Sequence, residues 1–168
     1  MTQTFLAIGE AMVEMAPDGA GHFAMGFAGD TLNTAWYLRR LAGDAVAVHY
    51  FSAIGADEVS GRMAAFIRGA GIDPELTVIP ERTVGLYMIS LKDGERSFSY
   101  WRDTSAAKLL ARGLDRLPAV GGPGDMAYFS GITLAILSEE DRETLLDALA
   151  AARAAGVTVA FDPNLRPR

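Results

Sequence analysis

Residues Gly26–Ala35 read Gly-Phe-Ala-Gly-Asp-Thr-Leu-Asn-Thr-Ala, a turn of small residues that runs directly into an amphipathic helix. Gly29 can adopt a positive φ and lets a ligand approach the backbone closely. Asp30 or Thr31 is predicted to cap the helix, and Asn33 then lies one turn into it. An open backbone with a carboxylate and an amide suits a polyhydroxylated ligand. An ordinary glycine turn with an N-cap is the alternative, because one glycine-rich turn is a weak signal.

The segments around this turn alternate between strand and helix patterns. Thr4–Ile8 is a short apolar run, which predicts a buried strand. The helix after the turn ends near Gly43, and Val46–Ile54 forms a second apolar strand. Asp57 can cap another helix that runs to Ala70. This β–α–β–α order predicts an α/β fold with a parallel sheet and helices packed on it.

The pattern then changes to strands without intervening helices. Leu76–Ile79, Val84–Leu91 and Arg96–Trp101 are three strand-like runs, and Asp93-Gly94 is a strong hairpin signal. We therefore predict that Leu76–Trp101 forms a small sheet projecting from the α/β body.

A two-residue loop at Asp93-Gly94 fixes the register of the predicted hairpin. It places Tyr87 opposite Tyr100 and Gly85 opposite Arg102. Strand alternation then puts Tyr87, Tyr100 and Arg102 on one face. Two phenols and a guanidinium in that arrangement suit a hydroxylated anion. A cross-strand aromatic pair that only stabilises the ribbon is the alternative.

Polar residues follow the last predicted strand of the chain. Met126–Ser130 is predicted to be a strand, and Ser138 starts a helix behind it. Val157–Phe161 is another apolar strand, followed at its carboxyl end by Asp162-Pro163-Asn164-Leu165-Arg166. Ligands of open α/β sheets bind at such carboxyl ends, so these polar side chains are candidate binding residues.

Composition excludes several function classes. The 168 residues suit about one domain, and the net charge of −6 argues against a nucleic-acid surface. The absence of cysteine excludes disulfides and thiolate metal sites, and His22 and His49 have no ligand-like spacing. No apolar run approaches the ~18 residues of a membrane-spanning helix. The N-terminus lacks a signal-peptide pattern, so we expect a cytoplasmic protein.

The motifs resemble those of a known family. Ile8-Gly9-Glu10 followed by Gly29–Ala35 is similar to the N-terminal signature of the ribokinase-like (PfkB) carbohydrate kinases. The later motifs resemble the branch of that family that phosphorylates the sugar acid 2-keto-3-deoxygluconate (KDG). They are Gly85-Leu86-Tyr87, Tyr100-Trp101-Arg102, Ser130-Gly131-Ile132 and Asp162-Pro163-Asn164-Leu165-Arg166-Pro167-Arg168.

The resemblance implies a fold, a reaction and partners. The fold is a three-layer α/β/α body with a mostly parallel sheet and a small β-sheet lid, formed mainly by residues of about 12–28 and 76–103. The reaction is ATP-dependent phosphorylation of KDG or a related sugar acid, with Mg²⁺. Family members also form homo-oligomers, which the lid or an exposed sheet edge would mediate here.

The resemblance also implies roles for particular residues. The body contacts the sugar acid through Gly29, Asp30 and Asn33, and the lid through Tyr87, Tyr100 and Arg102. Arg102 lies near the carboxylate, because a planar guanidinium matches a carboxylate in two-point fashion. The nucleotide side is formed by Asn164 and Arg166, and Arg166 also contacts the substrate.

The chain departs from the family pattern in two places. Ala28 replaces the first of two usual glycines, and alanine tolerates positive φ poorly. Family members also run to roughly twice this length, and their catalytic Asp lies in a Gly-Ala-Gly-Asp motif of the C-terminal half that this sequence lacks. We therefore predict an N-terminal half with the substrate site and no catalytic residue.

Two other functions remain open from the sequence. A kinase of the same superfamily for a neutral sugar such as fructose would need no carboxylate partner at Arg102. A non-catalytic sugar-binding or interaction module is the other, because the catalytic half is missing.

Overall fold

The computed structural model describes residues 2–92 and 95–165. The strands are β1 (Gln3–Ile8), β2 (Met12–Pro17), β3 (Phe23–Ala28), β4 (Val46–Ile54), β5 (Asp73–Val78), β6 (Gly85–Lys92), β7 (Glu95–Trp101), β8 (Met126–Ser130) and β9 (Thr158–Asp162). The α-helices are α1 (Asp30–Ala42), α2 (Glu58–Gly69), α3 (Gly131–Ile136) and α4 (Glu139–Ala154). Short 3₁₀ turns lie at Gly43–Ala45 and Ala106–Leu109.

The main sheet has five parallel strands in the order β5-β4-β1-β8-β9. Its strands β1, β4 and β8 are the apolar runs of the sequence, because a strand between two helical layers is buried on both faces. The α/β prediction is therefore confirmed. No helix in the described ranges is long and apolar enough to cross a membrane.

Helices cover both faces of the main sheet. Leu6 and Ile8 of β1 belong to the hydrophobic core on one face, while Phe5 and Ala7 belong to the core on the other. The first core is covered by residues of α4, and the second by residues of α1 and α2. These helix residues are Leu145, Ala148 and Leu149 in the first core, and Leu32, Ala35, Met63 and Ile67 in the second. The body is thus a three-layer α/β/α structure.

The small sheet contains four strands in the order β3-β2-β6-β7. Its hairpin β6–β7 is antiparallel, with Tyr87 opposite Tyr100, which confirms the predicted register. Asp93-Gly94 itself lies outside the described residues. Val13 and Leu86 on one face pack against the body, so the small sheet is anchored by a buried apolar face.

One prediction about the small sheet is wrong. We expected residues from Leu76 onward to belong to it, but β5 pairs in parallel with β4, Leu76 lying opposite Ser52. The helix α2 connects these two strands, and a strand–helix–strand connection of this kind returns its second strand to the same sheet. The small sheet instead takes its last two strands from Gly85 onward.

Candidate functional site

A cavity lies between the end of β1, the start of α1 and one face of the small sheet. The residues that line it are Glu10, Met12, Gly29, Asp30, Asn33, Tyr87, Phe98, Tyr100, Arg102 and Ile132. The structure therefore brings together the six residues expected to contact a substrate from the body and the lid. The hairpin register explains three of them, because Tyr87, Tyr100 and Arg102 share one face of the sheet.

The turn before α1 differs from its predicted geometry. Gly29 is the N-cap residue with φ 171°, an extended conformation, and no side chain caps the helix. A Cβ atom on Gly29 would lie 2.3 Å from the backbone oxygen of Glu10. Glycine is therefore required here by the close approach of two chain segments and not by a positive φ. Ala28 has no positive φ either, so the alanine does not strain the turn.

Asp30 is the first residue of α1, and hydrogen bonds hold both of its carboxylate oxygens. Oδ1 accepts the Thr31 backbone N–H at 2.8 Å. Oδ2 accepts the Ser130 hydroxyl and, at 3.1 Å, the side-chain amide of Asn164. The expectation that Asp30 or Thr31 caps α1 is wrong, because Gly29 is the N-cap residue and no side-chain cap hydrogen bond is present among the described residues. Asp30 Oδ2 instead joins α1 to Ser130 and Asn164.

Ser130 is a site residue whose role the sequence reasoning missed. It ends β8 and begins α3, where its hydroxyl takes part in a capping box with Thr133. The short helix α3 was not predicted, although Ser130 and Thr133 are residue types that favour helix starts. Thr133 in turn donates a hydrogen bond to the Ile8 carbonyl at 2.9 Å, which ties α3 to β1.

The aromatic side of the cavity is formed by β6 and β7. The Tyr87 and Tyr100 rings lie 5.9 Å apart between centroids. The Tyr87 hydroxyl donates a hydrogen bond to the Glu14 carboxylate, and burial together with Glu14 raises the pKa of Tyr87. Tyr87 is therefore a fixed neutral phenol, whereas half of Tyr100 is exposed.

Arg102 follows β7 and forms an ion pair with Glu10, which follows β1. The Arg102 Nη2 group donates to Glu10 Oε2, and the Glu10 residue is only 3% exposed. Burial raises the pKa of the Glu10 carboxyl, and the Arg102 charge opposes that rise. Glu10 had no assigned role in the sequence, although a charged residue directly after a buried strand was a usable signal.

The candidate residues after β9 are only partly described. Asn164 has a left-handed φ of 44°, and its backbone N–H donates to Asp162 Oδ1 at 3.0 Å. Its side chain reaches Asp30, as described above. Arg166 lies outside the described residues. Within the ranges that are described, no group of three His, Asp or Glu side chains could hold a metal ion.

Comparison with known proteins decides the family. Residues 3–168 match the family described as pfkB family carbohydrate kinase. The chain belongs to the pfkB family of carbohydrate kinases. Most residues that line the cavity of this pfkB chain lie in the motifs that carried the resemblance.

Curated relatives of this pfkB chain include two enzymes named 2-dehydro-3-deoxygluconokinase. The protein from Escherichia coli K12 is 42% identical over 174 residues, which cover 100% of this chain and 56% of the relative. The protein from Dickeya dadantii 3937 is 41% identical over 172 residues, covering 99% of this chain and 55% of the relative. The chain therefore spans about half the length of the curated relatives it matches.

Solved structures share the fold of this pfkB chain. The fructokinase of Vibrio cholerae O395 in its apo form has a TM-score of 0.83 and 26% identity, covering 99% of this chain and 55% of that one. The structure of the same enzyme with fructose, ADP and calcium ion bound has a TM-score of 0.81. That match covers 98% of this chain and 52% of the fructokinase chain. The described architecture is therefore about half of a ribokinase-like sugar-kinase fold.

Proposed function

We propose that this chain is the substrate-binding part of a sugar-acid kinase that transfers a phosphoryl group from ATP to the terminal hydroxyl of 2-keto-3-deoxygluconate. The observation that carries the proposal is the position of Arg102 in a cavity that also contains Asp30 and Asn33. These side chains offer one cation for a carboxylate and two polar groups for hydroxyls. The names of the two enzymes that are about 40% identical support the same substrate class.

Each of the six predicted substrate residues in the cavity has a part in this proposal. Asp30 and Asn33 hydrogen-bond sugar hydroxyls from the body, beside the open backbone of Gly29. Arg102 binds the carboxylate in two-point fashion. Tyr87 and Tyr100 line the opposite side, and the fixed orientation of Tyr87 by Glu14 holds its ring against the ligand.

Phosphoryl transfer requires groups other than the residues that bind the sugar acid. Phosphoryl transfer is catalysed mainly by positioning and charge stabilisation, and ATP with Mg²⁺ supplies the transferred group and its counter-charge. We assign the nucleotide side of the site to Asn164 and Arg166, and the family resemblance gives Arg166 the role of binding phosphate oxygens. No residue of this chain is assigned as the catalytic base.

A kinase for a neutral sugar is the second candidate. The fructokinase of Vibrio cholerae was solved with fructose bound and shares this fold. In addition, Arg102 already has a carboxylate partner in Glu10, so its charge is partly neutralised without any ligand. The two candidates differ in whether the ligand must carry a carboxylate.

Substrate turnover distinguishes them. A full-length protein that contains this sequence is assayed for ADP release with KDG, gluconate, fructose and ribose at equal concentrations. We expect KDG to give the highest kcat/KM. Faster turnover of fructose or ribose than of KDG would reject the sugar-acid assignment in favour of the neutral-sugar kinase.

A further inference from the structure

Glu10 combines deep burial with an incomplete set of hydrogen bonds. Its side chain is 1% exposed, and Oε2 is bonded to Arg102. Its Oε1 and the Ser105 hydroxyl are both buried, and neither meets hydrogen-bond geometry with any partner in the ranges 2–92 and 95–165. A buried polar atom without a partner carries a desolvation cost, so Oε1 would be stabilised by gaining a proton and a hydrogen bond.

Arg102 is able to hold two carboxylates at once. A guanidinium carries five N–H donors, and the described bond to Glu10 uses the Nη2 group. Arg102 and Glu10 both line the cavity, but the Arg102 side chain is 24% exposed and the Glu10 side chain only 1%. A ligand carboxylate that binds Arg102 therefore approaches a guanidinium that already has one buried negative partner.

The charges around Glu10 determine the free-energy cost of binding a second carboxylate to Arg102. Burial raises the pKa of the Glu10 carboxyl, while Arg102, Ser105 and Lys108 oppose the rise. On the other side, the Asp30 carboxylate at the start of α1 lines the same cavity. The neighbouring phenols are Tyr50 of β4, Tyr87 of β6 and Tyr100 of β7. A second carboxylate on Arg102 adds like charge and favours the protonated form of Glu10.

We propose that Glu10 is a specificity-determining residue that shares Arg102 with the carboxylate of a bound sugar acid and takes up a proton from solvent when that carboxylate binds. The proton goes to Oε1, where the Ser105 hydroxyl oxygen can accept a hydrogen bond from it. The ligand carboxylate stays ionised and pairs with Arg102. A neutral sugar brings no second charge and causes no uptake. This inference rests on the proposed function, because it takes a sugar acid as the ligand.

Calorimetric titration measures the proton directly. KDG and fructose are titrated into the purified protein in two buffers of different ionisation enthalpy, between about pH 6 and pH 8. We expect close to one proton taken up per KDG bound at the upper end of this range, and none per fructose. Linkage then makes the KDG affinity fall by up to about tenfold per pH unit above the pKa of Glu10, with no such trend for fructose.

Two variants assign the proton to its site. Glu10→Gln resembles the protonated side chain, so proton uptake and the pH dependence of KDG binding should disappear while KDG still binds. Glu75→Gln is the matched control, because Glu75 lies on β5 beside His49 at 3.1 Å and outside the cavity. It should keep the proton uptake of the unsubstituted protein.

The outcomes separate this inference from the proposed function. KDG binding without proton uptake in the unsubstituted protein contradicts the role of Glu10 alone, and this measurement needs no variant to fold. Uptake that persists in Glu10→Gln assigns the proton to another group and also contradicts it. If fructose binds and KDG does not, the proposed function and this inference are both wrong.

Discussion

The side-chain amide of Asn164 donates a hydrogen bond to Asp30 Oδ2 over 3.1 Å, although 134 positions separate the two residues. The Ser130 hydroxyl donates to the same oxygen. The start of α1 and the carboxyl ends of β8 and β9 therefore meet at one carboxylate. Open α/β sheets bind ligands at this edge, and these hydrogen bonds hold the three segments together there.

The Asn164→Asp substitution tests this contact. It replaces the donor with a second carboxylate that faces Asp30, and two like charges in a partly buried site repel each other. We expect KDG and fructose to bind more weakly by a similar factor, about 5- to 30-fold for a loss of about 1–2 kcal/mol. Calorimetric titration checks this. Asp162→Asn is the control, because it keeps an oxygen that accepts the Asn164 N–H. Unchanged affinity for both sugars would show that the contact does not orient Asp30.

Arg102→Leu is predicted to affect only one class of ligand. A charge-assisted hydrogen bond contributes about 1.5–3 kcal/mol, or about one to two decades in affinity. KDG binding should therefore weaken by about 10- to 100-fold, and fructose binding by much less. Arg96→Leu is the matched control, since Arg96 is an exposed arginine of β7, the strand that Arg102 follows, and lies opposite Leu91. An equal loss for both ligands in Arg102→Leu would make Arg102 a structural residue.

Gly29→Ala is predicted to disturb the turn that begins α1. The added Cβ would lie 2.3 Å from the Glu10 backbone oxygen, so the two segments must separate. We expect the free energy of unfolding to fall by about 1–3 kcal/mol, the usual cost of overpacking. Gly26→Ala is the control, because a Cβ there meets nothing within 4 Å. Urea denaturation of both variants measures the difference. A cost in Gly29→Ala no larger than in Gly26→Ala would contradict the close approach.

Residue patterns within single segments were enough to predict the hairpin register and the buried strands, because short-range interactions determine both. The register of Tyr87 opposite Tyr100 follows from strand alternation and a two-residue turn, so it was available from the sequence. The apolar runs that became β1, β4 and β8 were visible because strands covered on both faces have few polar residues. The same reasoning placed Arg102 on the face of the two tyrosines.

Those patterns could not predict contacts between residues that are distant in the sequence. The strand β5 has no clear alternation, and its place beside β4 follows from the connection through α2. The Glu10–Arg102 pair joins residues 92 positions apart, and no spacing rule indicates such a partner. Gly29 lines the cavity, but it does not have a positive φ, and its close approach to Glu10 is a tertiary feature that the sequence does not indicate.

Asp57 is predicted to make the stability of the protein depend on pH in the acidic range. Its carboxylate caps α2 by accepting the Ser60 N–H at 3.0 Å. Desolvation raises the pKa of Asp57, but the hydrogen bonds from Ser60 and Thr83 together lower it, and the net pKa lies below the ordinary 3.8. The cap therefore contributes fully above the unfolded pKa of 3.8 and is lost as the pH falls through the lower folded value.

The Asp57→Ala variant measures this contribution. We expect a loss of about 0.5–2 kcal/mol near neutral pH, the usual cost of removing an N-cap, and a smaller loss below about pH 3. Thr144→Ala is the control, because the Thr144 hydroxyl donates to the Glu140 backbone carbonyl at 3.0 Å and neither group ionises in this range, so its cost should not change with pH. A pH-independent cost in Asp57→Ala would contradict the ionised cap. Urea denaturation between about pH 2.5 and pH 7 provides the comparison.

The last prediction concerns the 168-residue chain expressed alone. Strand β9 is an edge of the main sheet, and Phe161 on it is 49% exposed. Exposed edges and apolar patches favour association with another chain, and the exposed Leu91 and Phe98 of the small sheet offer a second such surface. We therefore expect this chain to self-associate, as measured by size-exclusion chromatography with light scattering.

A charge on the edge distinguishes the two surfaces. Thr158→Lys adds a lysine to β9 at an exposed position, and Thr2→Lys adds one at an exposed position outside the strands. If β9 mediates association, Thr158→Lys shifts the chain towards monomer and Thr2→Lys does not.

We also expect no KDG-dependent ADP release from this chain, because a positioned acceptor without charge stabilisation lacks the largest catalytic contribution. A monomer with a cooperative melt would contradict the self-association, and KDG-dependent ADP release would show that this half performs the chemistry by itself.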